Sequence, residues 1–169
     1  MPIEYEKIYE NNFTTETQEF TVSNISDYGF LHILFSFDLR SSSSSDNAIF
    51  LYPNNDTLAN YSTIGFYFTS AGYGRSTSPS ANKLVLCRVG WRRRNLCEGT
   101  ADVYTRVTGY WRSILTRFTM QPIDHIYYGA EERVGYWKDT TSTINSIVFK
   151  TFQSGYGFTG WIKVYGLKI

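Results

Sequence analysis

The chain has 169 residues, enough for one domain with a sizeable core, and its formal net charge of +1 supplies no global field toward nucleic acid or an anionic membrane. Aromatic residues make up 18% of it, as 14 Tyr, 12 Phe and 4 Trp, while 4 Pro and 13 Gly are too few for a collagen-like or disordered chain. Rings in that number favour pleated, half-buried surfaces, so the composition points to β-structure.

The first ten residues carry Glu4, Glu6 and Glu10 where a secretory signal needs a basic end and an apolar stretch. Residues 1–16 read as a polar, extended arm that orders on docking, ahead of one sandwich domain over 17–169. A strand is expected at Gln18–Val22. The clearest strand is Gly29–Arg40, where Leu31, Ile33, Phe35, Phe37 and Leu39 alternate with His32, Leu34, Ser36, Asp38 and Arg40. That is period two, with one face in the core and one mostly wet. The serine run in the turn Ser41–Asn47 has nothing to bury and reads as a mobile tip.

Further strands are expected at Ala48–Tyr52, Ser62–Thr69, Leu84–Trp91, Ala101–Thr108, Arg112–Met120, Val134–Trp137, Ile144–Thr151 and Gly160–Tyr165. Between them lie turn clusters at Ser23–Asp27, Pro53–Asn60, Ser70–Asn82, Arg92–Gly99, Gln121–Asp124 and Ser154–Thr159, of which Ser70–Asn82 reads as a second long loop. No long segment has a period of 3.6 and no apolar run approaches the ~20 residues that span a bilayer. About ten short strands so punctuated predict an all-β fold, an antiparallel jelly-roll-like β-sandwich in a single domain.

The titratable residues do not assemble into a reaction centre. Glu131 and Glu132 are adjacent and in a strand point to opposite faces, so they cannot flank one bond. His32 and His125 lack neighbouring ligands at metal spacing, and Asp124-His125 has no serine in a nucleophile-elbow context. No catalytic residue, metal site or cofactor is expected. Gly72-Tyr-Gly74 and Gly155-Tyr-Gly157 lack the strand–loop–helix setting of a phosphate cradle. Cys87 and Cys97 are either ordinary buried thiols or one cross-hairpin disulfide, the latter only if their Cα atoms come within ~7 Å.

Two surfaces are candidates for contact. Trp91-Arg92-Arg93-Arg94 lies between two strands: a solvated hairpin tip, or a docking loop gripping carboxylates on a neighbouring protein with Trp91 as anchor. Three arginines give only a small counterion-release effect, so nucleic acid is disfavoured. Arg106, Arg112 and Arg117 would extend this basic surface. The second candidate is aromatic. Tyr61, Phe66, Tyr67, Tyr73, Tyr110, Trp111, Tyr127, Tyr128, Tyr136 and Trp137 fall at or near strand ends, where rings either pack or stack on sugars. Asn55, Asp56 and Asn60 would build either a tight Asx-stabilised turn or, with Tyr61 and Tyr73, a glycan contact; a Ca²⁺ contact is disfavoured, because one acidic side chain supplies few of the oxygens it needs.

Two stretches carry a resemblance, IFLYPNNDTLANYS at 49–62 and GYWKDTTSTINSIVFKTFQSGYGFTGWIKVYGLKI at 135–169. Their residues Asn55, Asp56, Asn60, Tyr61, Ser62, Trp137, Ile144, Ile147, Phe158, Gly160, Tyr165, Gly166 and Leu167 resemble the pattern of a widespread group of phage virion structural proteins. The chain departs from it at Gly160-Trp161, where that group reads Gly-Ser, and at Tyr52-Pro53-Asn54, where it tends to have Phe-Asn. The resemblance implies a β-sandwich and a place in the virion, in head or tail. The expectation is a non-enzymatic capsid decoration or cement protein on the particle surface, made in the host cytoplasm. It would be a homo-oligomer, a trimer, and would bind the major capsid protein or other virion proteins, with no nucleic acid and no membrane as partner. The alternative is a tail or fibre component whose loops 41–47 and 70–82 meet host-surface glycans.

Overall fold

The computed structural model describes residues 4–42, 46–58, 60–89, 94–106, 109–123 and 128–168. In chain order its strands are β1 (Glu6–Thr17), β2 (Glu19–Ser23), β3 (Phe30–Arg40), β4 (Asn47–Pro53), β5 (Tyr61–Thr69), β6 (Gly72–Ala81), β7 (Leu84–Val89), β8 (Arg94–Tyr104), β9 (Arg112–Pro122), β10 (Gly129–Trp137), β11 (Ser146–Thr151) and β12 (Phe158–Leu167). They form an antiparallel, jelly-roll-like β-sandwich of an eight-stranded sheet, β1-β12-β3-β8-β9-β10-β5-β6, and a four-stranded sheet, β2-β11-β4-β7.

Alternation decides which side chains go between the sheets. In β3 the odd residues Leu31, Ile33, Phe35, Phe37 and Leu39 are all at most 1% exposed. Ile114 and Phe118 of β9, Ile162 and Val164 of β12, and Ile49, Leu51, Ile147 and Phe149 of the small sheet meet them there. At the β1–β2 side, rings close the gap: Phe20 stacks on Phe149 with centroids 4.6 Å apart, and Phe158 lies 4.7 Å from Phe37. Such pairs add to plain area burial because ring edges and faces carry opposite partial charge.

Three expectations are corrected. Residues 6–17 are extended but are no free arm: β1 runs antiparallel along β12, and Phe13 is its one residue buried in the core. The expected loop 70–82 is mostly β6, paired with β5 from Thr69↔Gly72 to Tyr61↔Ala81. An edge strand exposed on one face and only half-buried on the other needs no apolar alternation, and Pro79, which has no N–H to give, is tolerated at such an edge. Finally, Asn95–Gly99 is strand rather than turn, paired with Phe35–Leu39 and with Phe118–Pro122. The serine loop lies partly outside the described residues. Its ends are tied, since Ser42 N donates to Gln153 Oε1 at 2.8 Å and Asn47 Nδ2 donates to Arg40 O at 2.7 Å.

Candidate functional site

The sheets are unequal, so the outward face of the eight-stranded sheet is the widest surface of the molecule. Register places Ala130 of β10 between Thr119 of β9 and Phe68 of β5, and Phe68 opposite Tyr73 of β6. In the next row Arg117, Glu132, Phe66 and Arg75 follow one another. Three rings therefore crowd one end of this face, with Phe66 48%, Phe68 64% and Tyr73 85% exposed. Beside them the small Ala130 leaves a shallow, mainly apolar hollow of about 380 Å³, lined by Phe68, Thr100, Arg117, Thr119, Ala130 and Glu132. The Arg117–Glu132 pair at 2.8 Å rims it. Clustered exposed rings beside a hollow are the anatomy of an anchor site, because one inserted side chain there would exclude water from several apolar surfaces.

The acids on both faces are engaged. Glu132 points outward to Arg117, whereas Glu131 is buried between Arg88, 2.7 Å from its Oε2, and Arg133. The two glutamates do take opposite faces. Glu98 accepts from Ser36 Oγ at 3.1 Å and Gln121 Nε2 at 3.0 Å, and His32 Nδ1 lies 2.6 Å from Asp102 Oδ1. Cys87 and Cys97 are buried free thiols whose side chains meet, and burial first, then the neighbouring sulfur, pushes Cys87 well up. Among the described residues no group of three His, Cys, Asp or Glu is placed to hold a metal.

The sequence candidates are dispersed. Trp91, Arg92 and Arg93 lie outside the described residues. Arg94 is held by Asp38, its Nε 2.8 Å from Oδ1, so as a docking residue it is already committed within the sheet. Arg112 is no part of a basic surface: it is 2% exposed and stacks over Trp137 at 4.4 Å. Arg106 is exposed. The glycan set separates as well. Tyr73 stands at the aromatic end of the β5–β6 ladder, opposite the end where Tyr61 and the Asx turn lie, and in that turn Asn55 has a left-handed φ of 56°. Asp56 accepts from Leu58 N at 3.0 Å, Asn60 Nδ2 at 3.0 Å and Trp137 Nε1 at 2.7 Å. Tyr61 is fully buried, and its hydroxyl donates to Asp56 O at 2.6 Å. Tyr61 has no surface to offer a sugar and Asp56 is engaged by internal donors, while Asn55 is exposed and Asn60 half-exposed. Trp137 is buried like Tyr61, while Tyr110, Trp111, Tyr128 and Tyr136 are exposed, and Tyr127 lies outside the described residues.

Phe68 was missed by sequence reasoning. Phe66, Tyr67 and Phe68 are consecutive rings, and alternation alone does not say which parity faces water when both are apolar.

The turn after Trp137 gives a pH-dependent prediction. Asp139 Oδ1 accepts from the Thr141 and Ser142 amides at 2.8 Å each. Burial raises its carboxyl, but hydrogen bonds from Ser142 and Thr141 outweigh that and hold it at about 2. The folded value lies below the unfolded one of about 3.9, so this contribution is complete above the unfolded value and is lost as pH falls toward the folded one. Denaturant midpoints measured from pH 5 down to about 2 should fall, and Asp139→Asn should remove part of that slope. An unchanged slope would mean the turn is uncoupled from folding.

No family model and no curated protein matches the chain. Among solved structures, the Ruminococcus gnavus IT-sialidase CBM40 bound to alpha2,3 sialyllactose is 13% identical, over 95% of this chain and 92% of that one, with a TM-score of 0.33. The same domain bound to alpha2,6 sialyllactose gives 13% and 0.31, over 95% and 93%. A Bacteroides ovatus mixed-linkage glucan GH16 in complex with product gives 8% and 0.26, over 92% and 99%. Likeness at this level assigns neither a family nor a ligand, and the site is read from its own chemistry.

Proposed function

We propose that the chain is a non-enzymatic structural protein of a phage particle, a decoration or cement protein that docks on other virion proteins and stabilises the assembled lattice. The observation that carries the docking half is the cluster of Phe66, Phe68 and Tyr73 beside the Ala130 hollow. The virion half is supported by the resemblance of residues 49–62 and 135–169 to phage structural proteins. A protein that binds the assembled shell better than its loose subunits shifts assembly by mass action, and a closed homo-oligomer, such as a trimer, multiplies each contact. The paired state of the acids favours this role over proton transfer.

Sedimentation of purified protein with empty heads, with tails and with host cells tests the reading. Attachment to heads is expected, and Phe68→Ala should weaken it roughly tenfold or more while leaving the unfolding midpoint in place, as a central anchor residue does. Attachment to host cells alone would replace this reading with the tail or fibre alternative. Attachment undiminished in Phe68→Ala would move the docking face elsewhere.

A further inference from the structure

A second hollow, of about 480 Å³, lies on the other side of the molecule, where the chain crosses from β6 in the large sheet to β7 in the small one. Its lining includes Phe50, Thr63, Ser78, Ser80, Asn82 and Lys83. The lining is mainly apolar, with Ala81 and Val85 beside Phe50, and into it are set four polar side chains and one cation.

The cation is the unusual member. Lys83 Nζ sits 4.3 Å from the Phe50 ring centre and 4.2 Å from that of Phe152. The other lysines each have an oxygen partner: Lys7 with Glu10, Lys138 with Pro79 O, Lys150 with Glu19, Lys163 with Glu10 and Lys168 with Glu6. Among the described residues Lys83 has neither a carboxylate nor a hydrogen-bond acceptor; two ring faces hold it instead. Rings attract a cation but accept none of its N–H bonds in the way an oxygen does. Burial accordingly holds its ammonium below the ordinary lysine value. A half-buried cation held against two rings, with no carboxylate beside it, is open to an anion as charge partner.

We propose that this hollow binds a sugar residue bearing a carboxylate, with Lys83 as the charge partner and Thr63, Ser78, Ser80 and Asn82 meeting the sugar hydroxyls. The cation selects the carboxylate. Short hydroxyls and one amide set among apolar groups, in an open hollow of small-ligand size, suit a sugar ring, which offers both hydroxyls and C–H faces, better than an extended peptide, which needs length. The proposal goes beyond the docking role and is independent of it, because the two hollows share no lining residue.

The test is calorimetric titration of the whole protein with trigalacturonate, neutral galactotriose and hexaglutamate. Saturable binding of trigalacturonate is expected, weakened by added salt, with galactotriose at least about tenfold weaker. Lys83→Met keeps an apolar stem between the two rings and removes the charge; it should weaken trigalacturonate about tenfold or more with no change in unfolding midpoint. Phe68→Ala should bind trigalacturonate like the parent, which separates failure here from failure of the docking reading. No saturable binding of trigalacturonate, equal binding by Lys83→Met, equal binding of galactotriose, or binding of hexaglutamate alone would each overturn the assignment.

Discussion

Replacing Glu131 with alanine should destabilise the fold by about 3–5 kcal/mol, because it leaves the buried Arg133 cation without its partner. The Glu131 side chain has no solvent exposure, and its oxygens face Arg88 Nε at 2.7 Å and the Arg133 guanidinium. Arg88 is 32% exposed and could swing toward water, but the Arg133 side chain is only 12% exposed and has no such exit. Burial already pulls Arg133 down, and the Glu131 charge is what pushes back. Guanidinium unfolding measures the effect. Glu131→Gln, which keeps size and one acceptor, should fall between the parent and Glu131→Ala. The double variant Glu131→Leu/Arg133→Met should recover most of the loss, since a buried pair exchanged for packed apolar groups is often neutral or better. A cost below about 1 kcal/mol for Glu131→Ala would show that the cluster is solvated and the charges are screened.

The second large effect belongs to Trp137. Its ring is 2% exposed, Arg112 covers one face at 4.4 Å, and its indole N–H donates to Asp56 Oδ2 at 2.7 Å. Trp137→Ala opens a cavity in the core and is expected to cost about 3–5 kcal/mol. Trp137→Phe retains a ring but withdraws the donor, leaving Asp56 one bond short, and should cost about 1–3 kcal/mol. A double-mutant cycle with Asp56→Asn separates the hydrogen bond from the packing, and a coupling of at least about 0.5 kcal/mol is expected between partners in contact. Additive effects would mean that the bond seen here contributes nothing net.

The cluster around Trp137 also shows where the sequence was readable. Residues 49–62 and 135–169 carry the resemblance to phage proteins, and in space they meet: Trp137 reaches Asp56, Lys138 N donates to Asn60 O at 2.8 Å, and Asn54 Nδ2 donates to Thr143 O at 2.7 Å. Pattern residues such as Asp56, Asn60 and Trp137, with neighbours such as Asn54, secure turns against strands, so this part of the pattern is legible as architecture. β3 was legible for a simple reason: one side of it is packed with apolar residues and the other is largely half-exposed and polar, so period two is written into its composition. β6 was not, because its inner side is only half-buried and carries glycine and serine instead of large apolar residues, which with Pro79 look the same in a strand as in a loop. Lys83 gave no sign at all. A lysine's lack of an oxygen partner is a property of three dimensions, made by a crossing that brings β4, β6 and β7 to one corner.

The mismatch in width between the two sheets has a further consequence for how such a protein can diverge. β7 lies against β8 and β9, so β5 and β6 extend beyond the smaller sheet like an eave. A residue in the middle of β3 must match a crowded interior to within a methyl group, while those on β6 are exposed or at most half-buried. Amino-acid replacements can accumulate on the eave at little thermodynamic penalty. The molecule can therefore change what it touches at that margin while the crowded half preserves its shape.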